Sequence, residues 1–202
     1  MVWMSRPPAA TSSRRRGAAL THAIYVATLQ ELAESSLAEL TFEKIAARAG
    51  AGKTSLYRRW SSPAELLRAA LTDETTGVPP VVEPATGSVR DDLMTALAVF
   101  AQALVEPYGR ALAVLMNDAQ RHPELTAEVH RMTVQPRIDL LLQVLRAGVA
   151  RGEVDDGAAT PRVAAVGMQL VIMAYVELGS VPAAEVEAIV DEVLVPLVRR
   201  GR

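Results

Sequence analysis

Apolar residues recur along this chain at intervals of three and four, and no run alternates in the period of two that marks a half-buried strand. The pattern predicts an all-α protein of about nine helices with no sheet. A first helix covers roughly 14–34, with Tyr25, Leu29 and Leu32 as one stripe and Ile24 and Ala27 beside it. A short helix follows Thr41, a tight turn comes at Gly50, and another helix runs to Trp60. Pro63 opens a fourth, carrying Leu66, Leu67 and Leu71. Residues 1–13, rich in Pro, Ser and Ala, read as a flexible arm.

Residues 75–87 hold three prolines and two glycines and read as a linker. Ser88 then begins a capping-box-like Ser-x-x-Asp, and Val89, Leu93, Leu97, Phe100 and Leu104 repeat behind it at helical spacing. The next helix covers roughly 108–121 and stops before Pro123. A long one reaches about Arg151, broken or kinked near Pro136. Thr160 and Pro161 look like the cap and first residue of a helix that ends at Gly179. The last helix places Val186, Ile189, Val190, Val193, Leu194 and Leu197 on one face. The linker divides the chain into an N-terminal unit over 14–71 and a C-terminal helical unit over 88–200.

The segment from Leu40 to Trp60 carries the chemistry. Thr41 is a good helix cap, and Glu43 sits in the first turn, where the helix dipole favours it. Ile45, Ala46 and Ala49 form the inner face, and the two alanines let another helix approach closely. Gly50 can take the positive φ that ends a helix. So short a turn makes the next helix cross steeply, as in a helix-turn-helix. In that second helix Leu56 and Trp60 point inward. Lys53, Thr54, Tyr57 and Arg58 share the opposite side and offer a cation, a hydroxyl, an aromatic ring and a guanidinium. Such groups suit a DNA major groove: Lys and Arg for guanine edges, Thr for phosphate or a thymine methyl, Tyr for phosphate and sugar.

Over Ile24 to Leu67 the sequence resembles the DNA-binding domain of tetracycline-repressor (TetR) family regulators, most specifically at Thr41-Phe-Glu-Lys-Ile-Ala-Ala-Arg-Ala-Gly and Ser55-Leu-Tyr-Arg-Arg-Trp. The later helices match that family only in number, length and order. The resemblance implies a homodimer, a roughly palindromic double-stranded DNA operator and derepression by a small-molecule effector. By the family's pattern Lys53, Thr54, Tyr57 and Arg58 meet bases or nearby backbone, and Thr41, Ser55 and Arg59 meet phosphates. Three positions depart from it. Ser36 stands where a glycine is common after the first helix, Gly52 where a serine usually caps the recognition helix, and Pro63 where a basic residue often faces phosphate. Arg14, Arg15 and Arg16 are placed to compensate for the last.

Charge agrees with this division. Residues 1–71 hold 10 Lys and Arg against 5 Asp and Glu, while residues 72–202 hold 11 against 18. A basic head on an acidic body points only the head at a polyanion. Cysteine is absent, which excludes disulfides, thiolate metal sites and cysteine nucleophiles. Met1 to Thr11 contain no secretory pattern, and the most apolar stretch, Val163 to Val176, is shorter than the ~20 residues that span a bilayer. The expectation is a soluble cytoplasmic protein with no membrane partner.

Gly52-Lys53-Thr54 imitates the end of a phosphate-binding loop, but the pattern needs glycine at position 47, which is Ala47, and a preceding strand. His22, on the first helix, reads as a surface histidine sooner than a DNA-backbone contact. Asp118 and His122 are four apart and could share a metal, yet no third ligand has a persuasive spacing. Asp155 and Asp156 are turn residues. No catalytic set, cofactor motif or metal site emerges, so an enzyme on a helical scaffold is the weaker class, as is a constitutive DNA-binding factor that senses nothing. The dimer is expected through the last two helices, including Val163, Ala164, Val166, Gly167, Leu170, Val171 and Ala174. Phe100, Leu104, Met116, Met132, Leu141, Met168 and Tyr175 are the candidates for an adaptable, mostly apolar ligand pocket.

Overall fold

The computed structural model describes residues 10–76, 81 and 83–199, without the side chains of residues 10–16. Arg14, Arg15 and Arg16 therefore lie outside the described side chains, and residues 1–9 outside the described chain. The helices are α1 (Ala10–Glu34), α2 (Phe42–Ala49), α3 (Lys53–Tyr57), α4 (Pro63–Thr72), α5 (Val89–Val105), α6 (Pro107–Asn117), α7 (Pro123–Val129), α8 (Gln135–Ala150), α9 (Pro161–Leu178), α10 (Ala183–Ala188) and α11 (Val195–Val198). A π turn at His130–Val134 joins α7 to α8, and another at Ile189–Leu194 joins α10 to α11. So joined, they make nine helices, with no strand among the described residues.

The polar punctuation acts where it stands. The hydroxyls of Thr41, Ser62, Ser88 and Thr160 each accept from the backbone N–H three residues on, satisfying an orphan donor of the first turn. Asp92 is nearly inaccessible and accepts from the backbone N–H (2.8 Å) and hydroxyl (2.7 Å) of Thr86, with Arg151 at 3.6 Å. That pairing fixes the chain's entry into α5 and offsets the cost of burying a carboxylate.

α1 packs on α2 and α4 within the N-terminal unit and on α6 beyond it. Its core side is Ile24, Ala27, Leu29 and Leu32, all buried, while Tyr25 is only half-buried. α1 begins at Ala10, four residues before the expected start. α5, α8, α9 and the C-terminal helices enclose the second core, around Leu97, Leu145, Val171 and Val190. Arg68 on α4 pairs with Glu128 on α7 at 3.0 Å, a second tie between the two units.

The C-terminal helix corrects one expectation. Val186, Ile189, Val190 and Leu194 are buried, but Val193 and Leu197 are 39% and 47% exposed, and Val198 is buried instead. The π turn before Pro196 adds a residue to the helical turn and advances the inward face by one position. A similar turn precedes Pro136, where the sequence predicted a break.

Candidate nucleic-acid interface

α2 is an eight-residue helix capped at both ends. At its end Gly50 has φ 62°, and the Ala51 N–H reaches back to the Ala46 carbonyl at 2.9 Å. This is the Schellman arrangement, in which the left-handed residue lets two late carbonyls find donors. Two residues on, α3 begins at Lys53 behind Gly52, whose backbone is extended and which supplies no side-chain cap. Phe42, Ile45, Ala46, Leu56 and Trp60 bury between α2, α3 and α1. Ser36 has φ −130°, so no glycine is needed there.

Burying Leu56 and Trp60 turns the rest of α3 outward. Lys53, Thr54, Tyr57, Arg58 and Arg59 are exposed, and Thr41 and Ser55 are half-buried at the edge of the same surface. Tyr57 is 58% exposed, although its ring packs edge-on against Phe42 with centroids 4.8 Å apart. Arg59 leans the other way, donating to the Thr21 hydroxyl at 2.8 Å with its guanidinium 5.9 Å from the Trp60 ring. Of the seven side chains named from the sequence, Lys53, Thr54, Ser55 and Tyr57 lie on α3, Arg58 and Arg59 directly follow it, and Thr41 caps α2.

The ion pairs sort the cations of this unit. Lys44 and Arg48 face acids of α1 and the turn after it: Arg48 pairs with Glu31 (3.0 Å) and Glu34 (2.5 Å), Lys44 with Glu31 and Glu39 (3.7 Å each). Lys53 lies 3.6 Å from the Glu43 carboxylate, which also accepts from the Tyr57 hydroxyl at 3.2 Å. Arg58 and Arg59 have no acidic partner within ion-pair distance among the described residues. Cations without an acidic partner among the described residues therefore stand at the C-terminal end of α3. Glu43 is held below the ordinary carboxylate range by its own backbone N–H at the start of α2, then by Tyr57 and Lys53. The Tyr57 hydroxyl is pushed up by its bond to Glu43. At neutral pH the pair is a carboxylate and an un-ionised phenol. Glu43 is the neighbour of Lys53 and Tyr57 that sequence reading missed, because they meet only through the turn between helices.

His22 bonds Thr75 across 3.1 Å, and His122 faces Asp118 across 3.6 Å. No group of three metal-ligating side chains occurs among the described residues.

The C-terminal unit holds two apolar cavities that share Phe100 and Met168 as a common wall. One, of about 260 Å³, is bounded by Thr95, Leu97, Arg137 and Leu141 among others. The other, of about 170 Å³, takes in Leu104, Met116, His130, Gln169 and Tyr175. Six of the seven pocket candidates thus stand at one cavity or both. The seventh, Met132, is 51% exposed on the π turn and walls neither.

Among the described helices α9 alone is long and apolar enough to cross a membrane, and 28% of it is buried in this chain. Ala164, Gly167, Met168, Val171 and Ala174 form its inward side. Ile172, Met173, Val176 and Leu178 face outward, 38% to 62% exposed.

Residues 24–70 match the family model for bacterial regulatory proteins of the tetR family, and residues 83–193 match that for the tetracyclin repressor-like C-terminal domain. An HTH-type transcriptional regulator of Mycobacterium tuberculosis is 31% identical over 175 residues, 86% of this chain and 85% of its own. A DNA-binding transcriptional repressor TetR of Mycobacteroides abscessus is 29% identical over 190 residues, covering 92% of this chain and 97% of its own. Among solved structures, a TetR family transcription regulator superposes with a TM-score of 0.58 at 26% identity, over 85% of this chain and 96% of that one. With α2 and α3 forming the helix-turn-helix, and with both family models and the relatives agreeing, this chain belongs to the TetR family and is a DNA-binding transcriptional regulator rather than an enzyme.

Proposed function

We propose that the protein is a repressor that binds a roughly palindromic operator as a homodimer and is released by a small, mostly apolar molecule. One observation carries the DNA-binding part: the outward face of α3, where Lys53, Thr54, Tyr57 and Arg58 project beside Arg59 and where, among the described residues, neither guanidinium has an acidic partner within ion-pair distance. In this reading that face enters the major groove, and Thr41, Ser55 and Arg59 fix register on phosphates. The unit over 14–71 is the reader, and the unit over 88–200 senses and dimerises.

The outward apolar side of α9, with Val193 and Leu197 beside it, supports the dimer. An apolar stretch of this size is what an isologous interface covers, and two-fold symmetry in the protein matches a palindrome in DNA. The cavities behind Phe100 and Met168 support an effector. Its binding favours a conformation whose two heads are wrongly spaced, so operator affinity falls by the difference in effector affinity between states, about 1–3 kcal/mol. α4 transmits the change through its Arg68–Glu128 tie to α7.

The test is fluorescence anisotropy on the intergenic DNA upstream of the protein's own gene, over a salt series, for wild type and a Tyr57→Ala, Arg58→Ala variant. Tight sequence-dependent binding with a steep salt slope, lost in the variant, is the expected result. Binding no tighter than to scrambled DNA across several promoters, and unchanged in the variant, would overturn it.

A further inference from the structure

Arg137 places a cation in the wall of an otherwise apolar cavity. It is the third residue of α8, follows Pro136 directly, and is 9% exposed. The cavity of about 260 Å³ beside it is walled by Thr95, Leu97, Phe100, Leu140, Leu141 and Met168, and Arg137 is the one ionisable side chain among the described residues that line it.

The setting of this side chain is specific. The π turn His130–Val134 lies immediately before α8, and Pro136 has no N–H to give that turn. The Arg137 side chain bends back and donates from Nη1 to the Thr133 carbonyl. The Thr133 hydroxyl donates to the Val129 carbonyl at 2.7 Å, and buried Tyr108 lies against the same two residues. Isolated π turns inside longer helices cluster at functional sites because they redirect side chains. Burial draws the Arg137 pKa down, yet arginine starts high enough to stay charged at neutral pH.

A positive charge so placed selects what enters. A largely buried charge attracts an opposite charge more strongly than one at the surface, and the planar guanidinium matches a carboxylate in geometry. Phe100 and Met168 line this cavity together with Arg137, so an apolar body held there packs against them. We infer that the effector is an apolar molecule carrying one acidic group, with its anionic head on Arg137 and its hydrocarbon body against Phe100 and Met168. The inference rests on the reading of this unit as the effector-binding part of the protein.

Paired probes separate the two ideas. Decanoate and 1-decanol, and naphthoate and naphthol, differ within each pair in the charged head. Binding is measured by calorimetry on the full chain at neutral pH, for wild type, Arg137→Gln and Arg137→Lys. The acid of at least one pair should bind wild type about tenfold tighter than its alcohol, the increment of a charge-assisted hydrogen bond. Arg137→Gln should remove that advantage while leaving the alcohol within about twofold, and Arg137→Lys should keep part of it. Should Arg137→Gln fail to fold, Arg137→Lys decides, because an acid advantage undiminished there would overturn the inference. Equal binding of acid and alcohol would overturn the inference and leave the effector-binding reading intact. So would an acid advantage that survives Arg137→Gln. Binding by none of the four would overturn both.

Discussion

The Tyr57 hydroxyl donates to the Glu43 carboxylate across 3.2 Å, although the two residues lie 14 apart in sequence. Lys53 approaches the same carboxylate at 3.6 Å, so one acid organises two of the side chains proposed to read DNA. Glu43 holds Tyr57 and Lys53 in place before DNA arrives. It also sets a negative charge beside the surface proposed to meet phosphates. Glu43→Gln should therefore bind scrambled DNA severalfold more tightly and make the salt slope steeper by about one ion, as Lys53 becomes free for a phosphate. The ratio of operator to scrambled affinity should fall, because preorganisation is lost. Anisotropy on both DNAs at two salt concentrations checks this, and an unchanged ratio would show that Glu43 plays no part in recognition.

Gly50 and Gly52 flank one short turn but differ in what they require. Gly50 sits at φ 62°, where a side chain crowds the backbone, so Gly50→Ser should cost about 1–2 kcal/mol. Gly52 has φ −72° and open space around the position of a Cβ, and it caps α3 without a side chain. Gly52→Ser supplies the missing acceptor and should raise stability by a few tenths of a kcal/mol. Urea denaturation separates the two; equal loss in both would mean the turn tolerates no side chain at all.

Helix boundaries were legible because they are written in local chemistry. Thr41, Ser88 and Thr160 cap, Gly50 and Gly179 end helices with positive φ, and Pro136 marks a break. The outward face of α3 was legible for the same reason, since burying Leu56 and Trp60 leaves only one side of a short helix outward. What one helix cannot reveal is its partner. Glu43 meets Tyr57 and Lys53 through tertiary geometry, and the sequence showed only a favourable first-turn acid. Ala164, Gly167, Val171 and Ala174 were apolar candidates for a subunit contact, but they bury within the chain and leave Met173 and Val176 outside. Val193 and Leu197 leave the buried face because a π turn shifts the register that a straight helix would keep.

Arg90 on α5 grips Asp191 of the C-terminal helix with two hydrogen bonds, 2.6 and 2.7 Å, and reaches Glu187 at 3.2 Å. The Arg90 hydrogen bond is the main reason the Asp191 carboxyl is held below its ordinary value. A carboxyl depressed by folding contributes stability above its unfolded pKa, near 3.9, and loses it as pH falls through the lower folded value. Asp191→Asn should therefore melt below wild type at neutral pH, and the gap should close in acid below the usual carboxylate range. High salt should shrink the gap as well, because the pair is partly exposed. Thermal melts over a pH series read both effects; a gap independent of pH would assign the loss to packing instead of charge.

Val171 and Val176 stand on the same helix and face opposite ways: Val171 is fully buried in this chain, and Val176 is 62% exposed. If the outward side of α9 is covered by a second copy, an aspartate there opposes association without touching the fold. Val176→Asp should keep wild-type helicity and sediment as a monomer, because two buried carboxylates facing each other across a two-fold axis cost more than the apolar contact they replace. Its operator affinity should drop at least ~100-fold, since each half-site then binds without the effective concentration that linkage provides. Val171→Asp should instead fail to fold, its charge having no partner in the core. Analytical ultracentrifugation beside anisotropy distinguishes these outcomes. A Val176→Asp protein that remains dimeric would move the subunit interface elsewhere and leave the apolar side of α9 to a different partner.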